Sequence, residues 1–428
     1  MTPVLAARVA LICTVIVFTC SAADWPNWRG PHSDGSSDET NLPDTWTAAS
    51  AAWVYTFPGP GESTPVVHDG MVFVTSAERN GSTLFAIAVD AKTGTEKWKI
   101  PVVVTALKAP NNTMCSPSAA ADASRAYFMF STGDIAAIDR SGTVVWSNNI
   151  AERFGPLGLK FGYASTPLVY GTSLIIQVIR GDMPHKWWGV ETNGLTSFLL
   201  AMNTSNGAEL WRVTRPDEAR DESKDAYTSP VMFDEACIIA GADAVTAHNP
   251  ADGSELWRFT YARERRRDWR LVPSPVAADS MLFVMTARGN GDLYAVPSGR
   301  RGTITHEDCA WTFTGTTPDV CVPLYYRGAL YVLGDVKRVL MKIDPKTGEK
   351  IWEGRIDAKE IYRASPTGAD GKIYVISESG TVTVLSAGDE FKILSRIPMG
   401  GKPARAGIAA ADGALYIRTA DKLYCVRK

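Results

Sequence analysis

The sequence predicts an all-β protein, an eight-bladed β-propeller of four-stranded antiparallel blades that its own N-terminal strand closes. Three observations carry this. A turn ending in tryptophan recurs along the chain, a strand-turn-strand pattern interleaves with it, and the two chain ends carry complementary strands.

The first pattern is "AIAVDAKTGTEKW" (86–98), repeated as "AAIDRSGTVVW" (136–146), "LLAMNTSNGAELW" (199–211), "VTAHNPADGSELW" (245–257) and "LMKIDPKTGEKIW" (340–352). Asp or Asn ends one strand and can bond the backbone two residues on; Gly then takes the left-handed conformation that returns the chain. In every copy Trp follows that Gly by four residues, as from Gly94 to Trp98 and from Gly348 to Trp352. Constant spacing places each indole at one height and on one face of its strand.

The second pattern reads as two short apolar strands around an Asp-Gly-like turn. It appears as "STPVVHDGMVFV" (63–74), "STPLVYGTSLII" (165–176), "TSPVMFDEACII" (228–239), "PSPVAADSMLFV" (273–284), "VPLYYRGALYV" (322–332) and "ASPTGADGKIYV" (364–375). A longer version spans 115–130, and in a degenerate one at 406–417 Ile408 replaces the Pro. Together the patterns make units of four strands with a period from about 41 to 63 residues, the range of propeller blades.

The last unit supplies three strands, ending in "KLYCVRK" (422–428), while "AAWVYTF" (51–57) stands alone before the first, with Trp53 at an outermost-strand position. Pairing the two would remove the exposed edges that an open solenoid leaves. The structural tryptophans are then Trp53, Trp98, Trp146, Trp211, Trp257, Trp311 and Trp352. Each can bury about 150–250 Å², on the order of 4–6 kcal/mol before entropy is charged. The seventh unit has Phe391 and no Trp, and in the fifth an insertion, 297–311, delays the Trp.

Residues 51–428 form the propeller in this reading, and 24–50 an N-terminal extension packed on it. Residues 1–23 read as a signal peptide, with Arg8, the apolar "VALICTVIVFT" and a small-residue "SAA" site. An apolar stretch of eleven residues falls short of a membrane span, and no other segment is a transmembrane candidate. The expectation is export to the periplasm or beyond, with a lipid anchor at Cys20 as the alternative, and a monomeric mature protein. Cys115, Cys237, Cys309, Cys321 and Cys425 are expected to stay unpaired. Cys309 and Cys321 fall at opposite faces, roughly 16 Å apart along a strand, beyond disulfide reach.

A formal charge of -2 and no dominant basic helix exclude a nucleic-acid partner. The five His are scattered without metal-ligand spacing, and no phosphate-cradling loop or nucleophile elbow appears. No catalytic residues and no metal are assigned. His68 and His248, at or beside hairpin turns, are expected to be solvated.

Asp-x-x-Thr-Gly-x-x-x-Trp, complete at 90–98 and 344–352, resembles the repeat of the pyrroloquinoline-quinone (PQQ)-like, quinoprotein-type propellers. The stretch "DWPNWRGPHSDG" (24–35) is similar to the start of many secreted bacterial members. The dehydrogenase branch of that family implies a redox quinone, Ca²⁺, an adjacent Cys-Cys pair and often Cys-x-x-Cys-His; this sequence has neither cysteine pattern. The branch of the outer-membrane-protein assembly lipoprotein implies a cofactor-free binding scaffold, and size and repeat quality fit it. The resemblance therefore implies a non-catalytic envelope scaffold with no cofactor. The alternatives are a PQQ- and Ca²⁺-dependent sugar or alcohol dehydrogenase, and a carbohydrate-binding propeller.

Long segments (101–115, 151–164, 181–196, 214–228 and 260–273) all fall on the face opposite the short hairpin turns, where binding usually resides. Three candidate groups lie there. Trp187 and Trp188 suit a protein or polysaccharide partner, or packing over a neighbouring blade. Arg265, Arg266 and Arg267 suit an anionic partner, or ion pairs with the acids of 214–225. Three residues before the Pro positions come Glu62, Tyr227, Arg363 and Arg405, expected at the mouth of the central channel. There the two guanidiniums could clasp a carboxylate or phosphate, or pair with Glu62.

Overall fold

A computed structural model describes residues 24–181, 194–241, 243–261, 270–286 and 291–428. It shows eight sheets, seven antiparallel of four strands and one of five. Within a blade, strands follow chain order from the channel outward; blade one runs Val66–His68, Met71–Ala77, Thr83–Asp90, Glu96–Val104. Blades two to seven follow with innermost strands at Ala120–Ala121, Leu168–Tyr170, Val231–Phe233, Val276–Ala278, Leu324–Tyr326 and Thr367–Ala369.

Blade eight is the composite the strand count requires. Ala409–Ala411, Ala414–Arg418 and Lys422–Val426 come from the end of the chain, and Trp53–Thr56 supplies the outermost strand. That strand pairs antiparallel to the last one, Trp53 opposite Cys425 and Thr56 opposite Lys422.

The tryptophan repeat explains how blades are joined. Six of the seven indoles, Trp257 excepted, reach the turn of the next blade and donate their N–H to a carbonyl there. Trp53 bonds Ala91 O at 3.1 Å, Trp146 bonds Thr204 O at 2.9 Å, and Trp311 bonds Pro345 O at 3.0 Å. The turn glycine is required twice over. Gly94 has φ +74°, and a Cβ on it would stand 2.6 Å from the Trp53 ring; Gly207, Gly253 and Gly348 meet Trp146, Trp211 and Trp311 in the same way. Trp53 therefore latches the composite blade onto blade one. Trp53, Trp98, Trp146 and Trp257 are buried, while Trp211, Trp311 and Trp352 are half-buried. In blade seven Phe391 substitutes, edge-on to Trp352 with ring centroids 5.6 Å apart.

The insertion of blade five adds a feature the repeat does not predict. Gly302–Ile304 leaves its own blade and pairs parallel to Glu255–Thr260 as a fifth strand of blade four, Gly302 opposite Trp257. His248 also departs from expectation. It is buried, with Nδ1 2.9 Å from Gly253 O and Nε2 2.9 Å from Thr246 Oγ1, because the Asx turn folds back over it. The five cysteines among the described residues form no disulfide with one another, and four of them are buried.

Residues 24–45 cross the short-turn side of the ring. Trp25 bridges to Val67 in blade one, Ser36 to Gly368 in blade seven, and the Tyr374 hydroxyl donates to Pro43 O. The segment thus spans the channel from edge to edge before turning outward to Trp53–Thr56.

Candidate functional site

The site is built by the residues that lead into the eight innermost strands. In six blades this position carries Ser or Thr: Thr64, Ser118, Thr166, Ser229, Ser274 and Ser365; Val322 and Gly407 fill the others. Each hydroxyl accepts a backbone N–H from the preceding blade. Gly407 N–H donates to Thr64, Thr64 N–H to Ser118, Ser118 N–H to Thr166, and so on to Ser274, with Val322 N–H donating to Ser365, all at 2.8–3.1 Å. The belt satisfies N–H groups that blade-to-blade crossings leave without a ladder partner.

Two residues earlier in each blade comes the mouth. One half is polar: Arg363, Arg405, Glu62 and Ser116. The other is apolar: Ala164, Tyr227, Val272 and Val320. The sequence candidates Glu62, Tyr227, Arg363 and Arg405 thus converge on one cavity of about 140 Å³. Arg405 does not stand free. Its guanidinium bonds Glu62 Oε1 at 2.8 Å and Glu378 Oε1 at 2.6 Å, and also donates to Asn111 O. Burial alone would lower its pKa, but the two carboxylates hold it above the ordinary value. Glu62 in turn accepts from Thr113 N–H and the Ser116 hydroxyl. Arg363 reaches the same Glu378 oxygen at 3.8 Å. Tyr227 donates to Asp225, a buried carboxylate that desolvation pushes up to about 7.

The floor comes from the N-terminal segment. Trp28 and Arg29 line the cavity, and Arg29 is 3% exposed. Its terminal nitrogens donate to the carbonyls of Pro366, Asp34 and Pro323, while Nε is buried without an acceptor. Burial lowers its pKa to about 10, the nearby Asp34 acting in the opposite sense.

Sequence reasoning missed three parts of this arrangement. The hydroxyl belt was written in the Ser or Thr before the Pro of most repeats. Glu378 and the pair Trp28-Arg29 had no comparable signal. Trp187, Trp188, Arg265, Arg266 and Arg267 lie outside the described residues. Beside them, Arg270 pairs with Asp319 at 2.8 Å and Glu222 at 3.6 Å.

The quinone and Ca²⁺ of the dehydrogenase branch fit these residues poorly. The cavity is close in volume to one that holds a single benzene ring, whereas PQQ is a fused tricyclic tricarboxylate. Among the described residues no group of three His, Cys, Asp or Glu is placed to hold a metal ion.

Fold and channel together define the class, a closed eight-bladed PQQ-like propeller whose channel is floored at one end. The profile of a family described as outer membrane protein assembly factor BamB matches residues 46–174 and 309–393, and the chain belongs to that family. Among solved structures it is similar to quinohemoprotein alcohol dehydrogenase from Comamonas testosteroni, at 14% identity and TM-score 0.67 over 94% of this chain and 80% of that one. BamB from Moraxella catarrhalis matches at 15% identity and TM-score 0.60, over 88% and 99%. A europium-containing methanol dehydrogenase matches at 12% and 0.64, over 93% and 90%. At these identities the likeness is one of fold. No curated protein matches the chain.

Proposed function

We propose that the protein is an exported, non-catalytic binding scaffold of the cell envelope that works as a monomer, without quinone or Ca²⁺, and holds a protein partner on its long-loop face. The observation that carries this reading is the floored channel. The N-terminal segment crosses the short-turn side, so the mouth opens among the long loops. Two further concavities flank the loop after Val104. One, of about 550 Å³, lies between Lys108–Asn111 and Lys160–Phe161; the other, of about 270 Å³, is lined by Leu107, Pro156, Leu157 and Leu159. Val104, Leu107, Val336 and Ile361 are exposed on the same face. Exposed apolar side chains around concavities on a rigid scaffold suit protein contact. The family description, an outer-membrane-protein assembly factor, agrees with that class of partner.

The test is site-specific photo-crosslinking in the cell envelope. A photoreactive residue at Leu107 or Ile361 is expected to capture a protein partner, and one at Asp252 or Lys346, on the short turns, is not. Crosslinks confined to Asp252 and Lys346 would overturn the reading.

A further inference from the structure

Three guanidiniums line the channel, Arg29, Arg363 and Arg405, and one carboxylate lines it with them, Glu62, with Glu378 and Asp34 standing behind. Arg405 is saturated by those two acids. Arg363 shares one oxygen of Glu378 at 3.8 Å, an oxygen that Arg405 holds at 2.6 Å, and its side chain is 41% exposed. Arg29 reaches carbonyls and no carboxylate, and its buried Nε has no acceptor. A guanidinium solvated by neutral carbonyls in a desolvated site is an unmet demand for an anion.

The walls point the same way. Thr64, Ser118, Thr166, Ser229 and Ser365 line the cavity, and each hydroxyl oxygen already accepts a backbone N–H. Among the described residues none of them donates to a protein acceptor, so the hydroxyl protons remain for a ligand. Donors are therefore in excess and acceptors are scarce, the composition of an oxyanion site. The opposite half of the mouth (Ala164, Tyr227, Val272, Val320) and the Trp28 ring on the floor are apolar or aromatic. A volume of about 140 Å³ matches one six-membered ring better than anything larger.

We propose that the channel binds a small carboxylate with an apolar body, a monoanion of the size of benzoate. Its carboxylate faces Arg363 and Arg29, and its body rests against Trp28 and the apolar half of the mouth. Arg363, held by Glu378 only at 3.8 Å and exposed, is the guanidinium open to one negative charge. Such a carboxylate has two sources, a free small acid or the terminus of a partner chain ending in an apolar residue.

Calorimetric titration of the purified full chain distinguishes these. Benzoate is expected to bind saturably and benzamide, the neutral isostere, at least roughly tenfold more weakly, the scale of one charge-assisted pair. Arg363→Gln, at an exposed position, is expected to lose roughly tenfold for benzoate. Glu378→Gln releases Arg363 from competition and is expected to tighten benzoate several-fold, a direction that a folding defect does not produce. N-acetylphenylalanine binding tighter than benzoate, with its amide silent, assigns the site to a chain terminus; the reverse order assigns it to a free acid. Absence of saturable benzoate binding, equal affinity for benzamide, or unchanged affinity in Arg363→Gln would overturn the proposal. Crosslinking at Leu107 can fail while benzoate still titrates, so this inference and the partner reading fail separately.

Discussion

Asp225 shows how a single buried group sets the pH response of the mouth. Desolvation raises its pKa to about 7, against the Lys160 N–H and the Tyr227 hydroxyl, which favour the charged form. A carboxyl whose folded pKa lies above its unfolded value stabilises the fold in acid, and that contribution is lost as pH rises through the folded value. Between pH 5 and 8 the loss at this residue should be about 2–3 kcal/mol. Urea unfolding at both pH values should show it, and Asp225→Asn should flatten the slope. Gly94 is a second residue on which much rests. Alanine there must hold φ +74° and displace Trp53, so Gly94→Ala should cost about 2 kcal/mol or more, read as a lower urea midpoint at unchanged m. The thiols make a third case. Burial raises Cys115 and Cys321, and pushes Cys237 up to about 12. In protein lacking residues 1–23, a native thiol titration should find Cys309 reactive, and all five groups should react after unfolding.

At the scale of elements, the strand Trp53–Thr56 closes the ring by pairing with Lys422–Val426 and by latching blade one through its indole. Trp53→Ala removes the latch and leaves the pairing. It should destabilise by about 3–5 kcal/mol, and hydrogen exchange should quicken first at the amides of Ala52 and Phe57, which bond Cys425 O and Asp421 O. The blades, the latch and this closure were legible in the sequence because repetition printed them many times over. The parallel strand Gly302–Ile304 was not, since three residues with no apolar alternation carry no period to detect. The mouth was half legible. Repeat alignment located Glu62, Tyr227, Arg363 and Arg405, but Glu378 entered through a loop outside the repeat. Arg29 was hidden more deeply. Its acceptors at Pro323 and Pro366 lie 294 and 337 residues away, and no local pattern encodes that distance.

For the whole molecule, the two faces differ in kind. Asx turns and the N-terminal segment stiffen one side, and long loops around a charged and apolar mouth form the other. The scaffold proposed above uses this division and needs no turnover. Reconstitution with PQQ and Ca²⁺ is accordingly expected to give no dye-linked alcohol or sugar oxidation above background. Among the described residues no helix is long and apolar enough to cross a membrane.

The composite blade also dictates when the molecule can finish folding. A chain synthesised from its N-terminus delivers Trp53 first and its strand partner, Lys422–Val426, more than three hundred residues later. Until that last segment arrives the early blades form an arc with an unzipped seam, its sticky strand edge available to any neighbour. The seam is therefore the last part of the ring to gain a partner.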